Sequence, residues 1–275
     1  MHRLKQLWVI GAFFTVCSSA CAQKMYAGFA AGYGLSMASQ SLASNVNNGN
    51  IHTSASVVRG SLGKGFHLNG SVGYLLRPKT GLEINVSYLD SWNYRSEYRR
   101  ENAFVEKTTL SATMLRLTPA FRLNLAEGKI RPYITLGVVF RLTGNIWIDD
   151  MYVDLQTQSE TRSTWKYSKG FSLGLSSSAG AIYLLNPKLA IFAGLDMISQ
   201  SWGPKRGILT RYEIDGVDMI PNMSPSQKEI DFLDNYTATN YNPSAGWSHR
   251  QQLRQYYPFS SIGINAGIHF ILGKQ

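Results

Sequence analysis

Residues Ser261–Leu272 read SIGINAGIHFIL. Ile262, Ile264, Ala266, Ile268, Phe270 and Leu272 fall on one side of this stretch, and Ser261, Gly263, Asn265, Gly267 and His269 on the other. A period of two with faces this different is a strand lying between two environments. A soluble sandwich produces the same pattern, so this strand alone does not say which environment is lipid or water.

The pattern recurs through the chain. Ala27, Phe29, Ala31, Tyr33 and Leu35 oppose Gly28, Ala30, Gly32 and Gly34, and Leu82, Ile84, Val86 and Tyr88 oppose Glu83, Asn85 and Ser87. Leu115, Leu117, Phe121 and Leu123 oppose Arg116, Thr118 and Arg122, and Ile134, Leu136, Val138 and Phe140 oppose Arg131, Thr135 and Arg141. Leu173, Leu175, Ala179 and Tyr183 oppose Gly174, Ser176 and Ser178, while Ile191, Ala193, Leu195 and Met197 oppose Gly194 and Asp196. With a weaker segment from His67 to Leu76, eight strands are expected. Ionisable residues stay on one face and the other is apolar, the inside-out pattern of a transmembrane barrel.

Connection lengths agree. Arg77-Pro78-Lys79-Thr80, Ala126-Glu127-Gly128-Lys129 and Asn186-Pro187-Lys188 are tight turns, whereas Met37 to Phe66, Ser91 to Thr108, Asn145 to Lys169 and Ser201 to Tyr257 are long. The expected fold is all-β: an eight-stranded antiparallel up-and-down transmembrane β-barrel with short periplasmic turns and long extracellular loops. An even strand count puts both termini in the periplasm, and the quoted stretch is the last strand, closing on the first so that no unpaired edge meets lipid.

The first residues, MHRLKQLWVIGAFFTVCSSACAQ, carry Arg3 and Lys5, an apolar run from Leu7 to Val16, and the small-x-small site Ala20-Cys21-Ala22. This reads as a signal peptide, 1–22, leaving 23–275 as one barrel domain. Both cysteines, Cys17 and Cys21, leave with it, so neither disulfides nor a cysteine metal site is expected. Losing Arg3 and Lys5 lowers the net charge from +10 to +8. That excess suits anionic head groups; an exported chain does not meet nucleic acid.

Gly73-Tyr74, Gly81-Leu82-Glu83, Arg131-Pro132-Tyr133 leading to Gly137, and Gly267-Ile268-His269-Phe270 carry a resemblance. On these motifs the chain resembles the small outer-membrane barrels of Bacteroidota, grouped as the outer membrane protein beta-barrel domain and similar in architecture to OmpA and OmpX. The resemblance implies location in the cell outer membrane, contact with outer-membrane lipid and lipopolysaccharide, and insertion by the barrel-assembly machinery. The chain departs from the pattern by adding Ile271 to Gln275 after Phe270, where many such barrels end on an aromatic residue. Nothing after Gln275 offers a peptidoglycan tether.

No residue spacing resembles a catalytic, metal or nucleotide site, and no cofactor is expected. The lumen of an eight-stranded barrel holds side chains or one small ligand. Glu83, Arg116, Arg122, Arg131, Arg141, Asp196 and His269 point into it, and an arginine–carboxylate network plugging the barrel is expected. An anion-selective constriction is the alternative, since four arginines face two carboxylates. Tyr33, Tyr88, Trp92, Tyr183, Trp202, Tyr257 and Phe259 are expected as interfacial aromatics at strand ends. His52, His67 and His249 are placed in or beside loops, without a legible Ser or Asp partner for lipid A chemistry. The expected role is non-enzymatic: structure, or binding a surface protein through long loops, of which Trp147 to Leu155 and Ile208 to Ile214 look like hairpin arms. A narrow porin-like channel, a lipid A-modifying enzyme and a secretion-system accessory barrel are the other readings.

Overall fold

The computed structural model of the protein describes residues 25–49, 53–235 and 249–272. The leader 1–22, both cysteines and His52 lie outside the described residues. Eight strands close one antiparallel barrel: β1 (Met25–Ser36), β2 (Gly65–Leu75), β3 (Thr80–Ser91), β4 (Phe104–Asn124), β5 (Ile130–Asp154), β6 (Leu173–Asn186), β7 (Leu189–Trp202) and β8 (Ser261–Ile271). Each pairs with its successor, and β8 pairs with β1 from Ser36↔Ser261 to Tyr26↔Ile271. Closure satisfies every edge within the belt, as a hydrocarbon surrounding demands.

Residues 76–79, 125–129 and 187–188 turn the chain at one end. The four other connections lie at the opposite, loop end, and much of their length is strand rather than loop. Gln40–Asn48, Thr53–Gly60, Tyr94–Arg100, Glu160–Ser168, Arg206–Ile214, Glu229–Leu233 and Arg250–Leu253 extend β4 and β5 sideways into a sheet that stands beyond the belt. Trp147 to Leu155 runs along β5 to its end, and Ile208 to Ile214 lies in Arg206–Ile214.

The two faces of the belt differ as the alternation requires. Leu136 (62 %), Leu175 (67 %), Leu195 (58 %) and Ile264 (65 %) are open on the outside, while Thr135, Arg122 and His269 are buried inside. A continuous apolar exterior of this kind is stable only against lipid. Leu136→Arg, at mid-belt on β5, is expected to cost about 2–4 kcal/mol in urea unfolding from vesicles, and Ile130→Arg at the belt margin about 0–1 kcal/mol. Equal costs at the two depths would remove the lipid belt.

One irregularity changes what the lumen contains. Leu115 pairs with Thr143 but Arg116 with Arg141, so Leu142 is an extra residue in β5. Such a bulge flips the alternation. Below it Leu136 and Val138 face outward; above it Ile146 is fully buried and Ile148 packs against the same interior cluster. The lumen is therefore layered: an apolar mouth at the loop end, a polar middle, and a small apolar cluster of Tyr133, Ile182 and Ala190 toward the short turns.

Candidate functional site

In the polar middle, Gly81 stands opposite Arg122 and Glu83 opposite Ala120, so Glu83 and Arg122 are diagonal neighbours on the lumen face. Arg122 Nη1 donates to Glu83 Oε2 at 2.5 Å and to Tyr26 Oη at 2.7 Å, and the Tyr26 hydroxyl donates to the same Glu83 oxygen. The guanidinium lies 4.2 Å from the Tyr133 ring centre and 5.1 Å from that of Tyr26, between two aromatic faces. Gly73 makes room for this bridge, because a Cβ there would fall 2.1 Å from Tyr26 Cζ. Beside the bridge is a cavity of about 100 Å³ lined by Asn85, Ser87, Thr118, Thr135, Ser178 and Asp196, polar and roomy enough for several waters.

The seven expected lumen residues do not form one network, and this corrects the sequence reading. Among the described residues only Arg122 and Glu83 of the seven form an ion pair. Asp196 accepts from Asn265 Nδ2 instead. His269 is buried, stacked on Phe192 with ring centres 4.2 Å apart and 4.8 Å from Tyr26. Arg131 Nε donates to Gly128 O at 2.9 Å at the short-turn end. Arg116 is fully buried, its Nη2 3.2 Å from Phe259 O and its Nε 3.4 Å from Met114 Sδ. Arg141 lies 4.0 Å over the Trp202 ring and donates to Gly170 O and Gly144 O, each at 2.8 Å. Arginines in excess of carboxylates bond main-chain carbonyls and aromatic faces, although Arg116 Nη1 and Arg141 Nε have no hydrogen-bond partner among the described residues.

The aromatic set divides in two. Tyr88, Trp92 and Tyr183 are exposed on the outside and Tyr33 is half-buried there. Lys64 Nζ lies 4.9 Å over Trp92 at the loop end and Lys129 Nζ 5.1 Å over Tyr183 at the turn end, a cation and an aromatic at each rim. Trp202, Tyr257 and Phe259, in contrast, are 0 %, 5 % and 0 % exposed and are not at the lipid interface. They fill the mouth from within, packed with Leu62, Leu89, Met114 and Ile146. Two loop segments bring them there: Leu62 N–H donates to Pro258 O and Phe259 N–H to Gln200 O, both at 2.8 Å. The cork is apolar, where the sequence reading expects a polar plug.

Three further residues escape the sequence reading. Tyr26, one position before the alternation that begins at Ala27, belongs to β1 and supplies the hydroxyl of the bridge. His67, expected at the start of the weaker strand and beside a loop, sits on β2 as that strand predicts, but its side chain is buried in the lumen, 3.3 Å from Gly63 O. His249 has partners after all: Nε2 is 2.9 Å from Glu229 Oε2 and Nδ1 2.9 Å from Asp231 Oδ2. The sheet beyond the belt also carries a cleft of about 630 Å³ edged by Arg95, Glu97, Lys107, Asp149, Arg162 and Arg211.

Comparison with curated proteins finds no match. Among solved structures the chain is similar to Neisserial surface protein A (NspA), at 10 % identity over 91 % of this chain and 97 % of that one, TM-score 0.38. It is also similar to the outer membrane protein OprG from Pseudomonas aeruginosa, at 10 % identity over 92 % and 96 %, TM-score 0.40. A major outer membrane protein from Thermus thermophilus is similar at 12 % identity over 92 % and 100 %, TM-score 0.38. Residues 10–197, more than half of the chain, match the family model of the outer membrane protein beta-barrel domain. With a closed eight-stranded barrel, an apolar exterior and that match, the chain belongs to the outer membrane protein beta-barrel domain family.

Proposed function

We propose that this outer-membrane barrel is closed to solutes and non-enzymatic, and that its working part is the loop-end sheet, which meets a surface protein or neighbouring complex outside the cell. In this reading both termini are periplasmic, and Tyr33, Tyr88, Trp92 and Tyr183 sit at the membrane interfaces above and below the belt, against lipid and lipopolysaccharide. The observation that carries it is the double filling of the lumen: Leu62, Leu89, Met114, Trp202 and Phe259 are each 0 % exposed in the mouth, and the Arg122 bridge lies beneath them. A rigid barrel whose interior is filled by its own side chains leaves function to the segments it holds up.

For catalysis, a histidine needs a nucleophile or water within reach. The hydrogen bonds of His249 among the described residues go to two carboxylates, and His67 meets a main-chain carbonyl. This favours the non-enzymatic reading. The refolded mature protein in a planar bilayer should be electrically silent. Steady, anion-preferring openings would replace this proposal with the narrow channel and make Arg116 and Arg141 its site.

A further inference from the structure

The sheet beyond the belt has an outer face that continues the lipid-facing side of the barrel. Along β4 the even positions Leu110, Ala112, Met114 and Arg116 are buried toward the interior, so Lys107, Thr109 and Ser111 share the outward side of Leu115 and Leu117. The bulge lies in β5, so the alternation of β4 runs unbroken from belt to sheet.

On this outer face two rows of side chains cross five strands in register. Arg95, Thr109, Asp149, Thr164 and Arg211 make the first row, and Glu97, Lys107, Met151, Arg162 and Glu213 the second. All but Glu213 line the cleft of about 630 Å³, a volume in the range of small-molecule sites.

Most charges in these rows are already committed. Arg211 donates Nε and Nη2 to Glu213 at 2.8 and 2.6 Å, Arg162 donates to Glu160 along its own strand, and Thr164 Oγ1 donates to Asp149 Oδ1 at 2.7 Å. Arg95 and Lys107 differ: neither has an ion pair among the described residues, although Glu97 stands directly opposite Lys107. Arg95 is opposite Thr109, and Lys107 is two positions from Thr109, so the two cations are diagonal neighbours about 7–8 Å apart at their bases. Like charges at that spacing repel. A tetrahedral anion that accepts from the guanidinium fork, the ammonium and the Thr109 hydroxyl removes the repulsion. Farther along the cleft, Glu97 and Asp149 present acceptors, which suit the hydroxyls of a sugar and reject a second anion.

The height of the cleft says which anion is at hand. Asp90 pairs with Thr113 and Tyr94 with Leu110, which brackets Trp92 of the outer rim near the level of Ser111. Thr109 and Lys107 come two and four positions later, roughly 7 and 13 Å along the strand and less in height because the strands are tilted. That is the layer directly over the hydrocarbon, where lipid head groups lie.

We propose that this cleft holds the phosphorylated saccharide head group of an outer-leaflet glycolipid, its phosphate on Arg95, Lys107 and Thr109 and its sugar hydroxyls on Glu97 and Asp149. The opposite face of the same sheet stays available to a protein partner.

Native mass spectrometry of the full barrel, refolded with rough lipopolysaccharide that carries its phosphates, is expected to retain one lipopolysaccharide per barrel. Arg95→Gln and Lys107→Gln should each weaken retention about tenfold, the scale of one charge-assisted bond lost. Stripping the phosphates from the lipopolysaccharide should weaken retention by the native barrel, yet change little in the double variant, which has lost the phosphate's partners. Arg59→Gln, on a neighbouring strand outside the cleft, removes the same charge and should retain lipopolysaccharide as the native barrel does. Urea midpoints report whether each variant is folded. No retained lipopolysaccharide, or an equal loss from Arg59→Gln, would overturn the site. Competition separates the sources of the chemistry: displacement by equimolar glucose 1-phosphate would make this a site for a soluble sugar phosphate, and displacement by phosphatidylglycerol a site for phosphate alone, and either overturns the glycolipid. The inference rests on the sheet standing outside the cell, as proposed above. If Thr157→Cys on intact cells resists an impermeant maleimide, that reading fails; labelling without retained lipopolysaccharide sinks the head-group site alone.

Discussion

Arg122→Ala is expected to destabilise the barrel by about 3–5 kcal/mol, measured by urea unfolding from lipid vesicles. The side chains of Arg122 and Glu83 are 3 % and 9 % exposed, so solvent screens their interaction little. Removing the guanidinium leaves Glu83 buried with only the neutral donors Tyr26 and Asn85, and it removes the cation held between the Tyr26 and Tyr133 rings. Most of the cost is the stranded carboxylate rather than the lost attraction, because burying either charge is itself expensive. The double variant Arg122→Leu, Glu83→Leu should therefore recover much of the loss. Single and double variants of equal stability would mean that Glu83 finds another partner, and the bridge would then be a contact of convenience.

The fold is legible because every belt residue is asked the same question, lipid or lumen, and the answer repeats with period two. SIGINAGIHFIL answers it at every position except Ile271, an apolar residue with lumen parity, and β8 indeed closes on β1. The internal partners are not legible. Which carboxylate meets which of four arginines depends on stagger between strands, and Glu83 with Arg122 is a diagonal contact that no single strand reveals. His249 is illegible for the same reason: its partners lie 18 and 20 positions away, on a strand that the segment after it joins in parallel.

The aromatic residues admit a closer reading. Trp202 has the parity of Asp196 and Gln200, and Tyr257 and Phe259 that of Ser261 and His269, all on lumen faces. Tyr33, Tyr88 and Tyr183 have the parity of Leu35, Val86 and Leu175, on the outer face. Proximity to a strand end puts all of them at the interface, whereas parity separates cork from girdle. The bulge at Leu142 is a different matter: nothing in a run of apolar residues announces that one of them will be skipped by its partner strand.

Phe259→Ala tests whether the cork and the bridge are two barriers in series. Phe259 is fully buried against Trp202, ring centres 5.8 Å apart, and its truncation should cost about 3–5 kcal/mol in the same unfolding measurement. The cavity it leaves opens onto the loop end, so Trp202 should become accessible to a neutral quencher such as acrylamide. Ion flow is another question, because below the mouth Arg122, Tyr26, Glu83 and Tyr133 still span the lumen. A side-chain bridge held by charge-assisted bonds does not yield to the loss of a ring above it. Phe259→Ala is therefore expected to be quenched yet electrically silent. If it conducts, the mouth alone closes this barrel, the bridge is a support rather than a barrier, and any protein partner that draws Tyr257 and Phe259 out of the mouth would also open a pore.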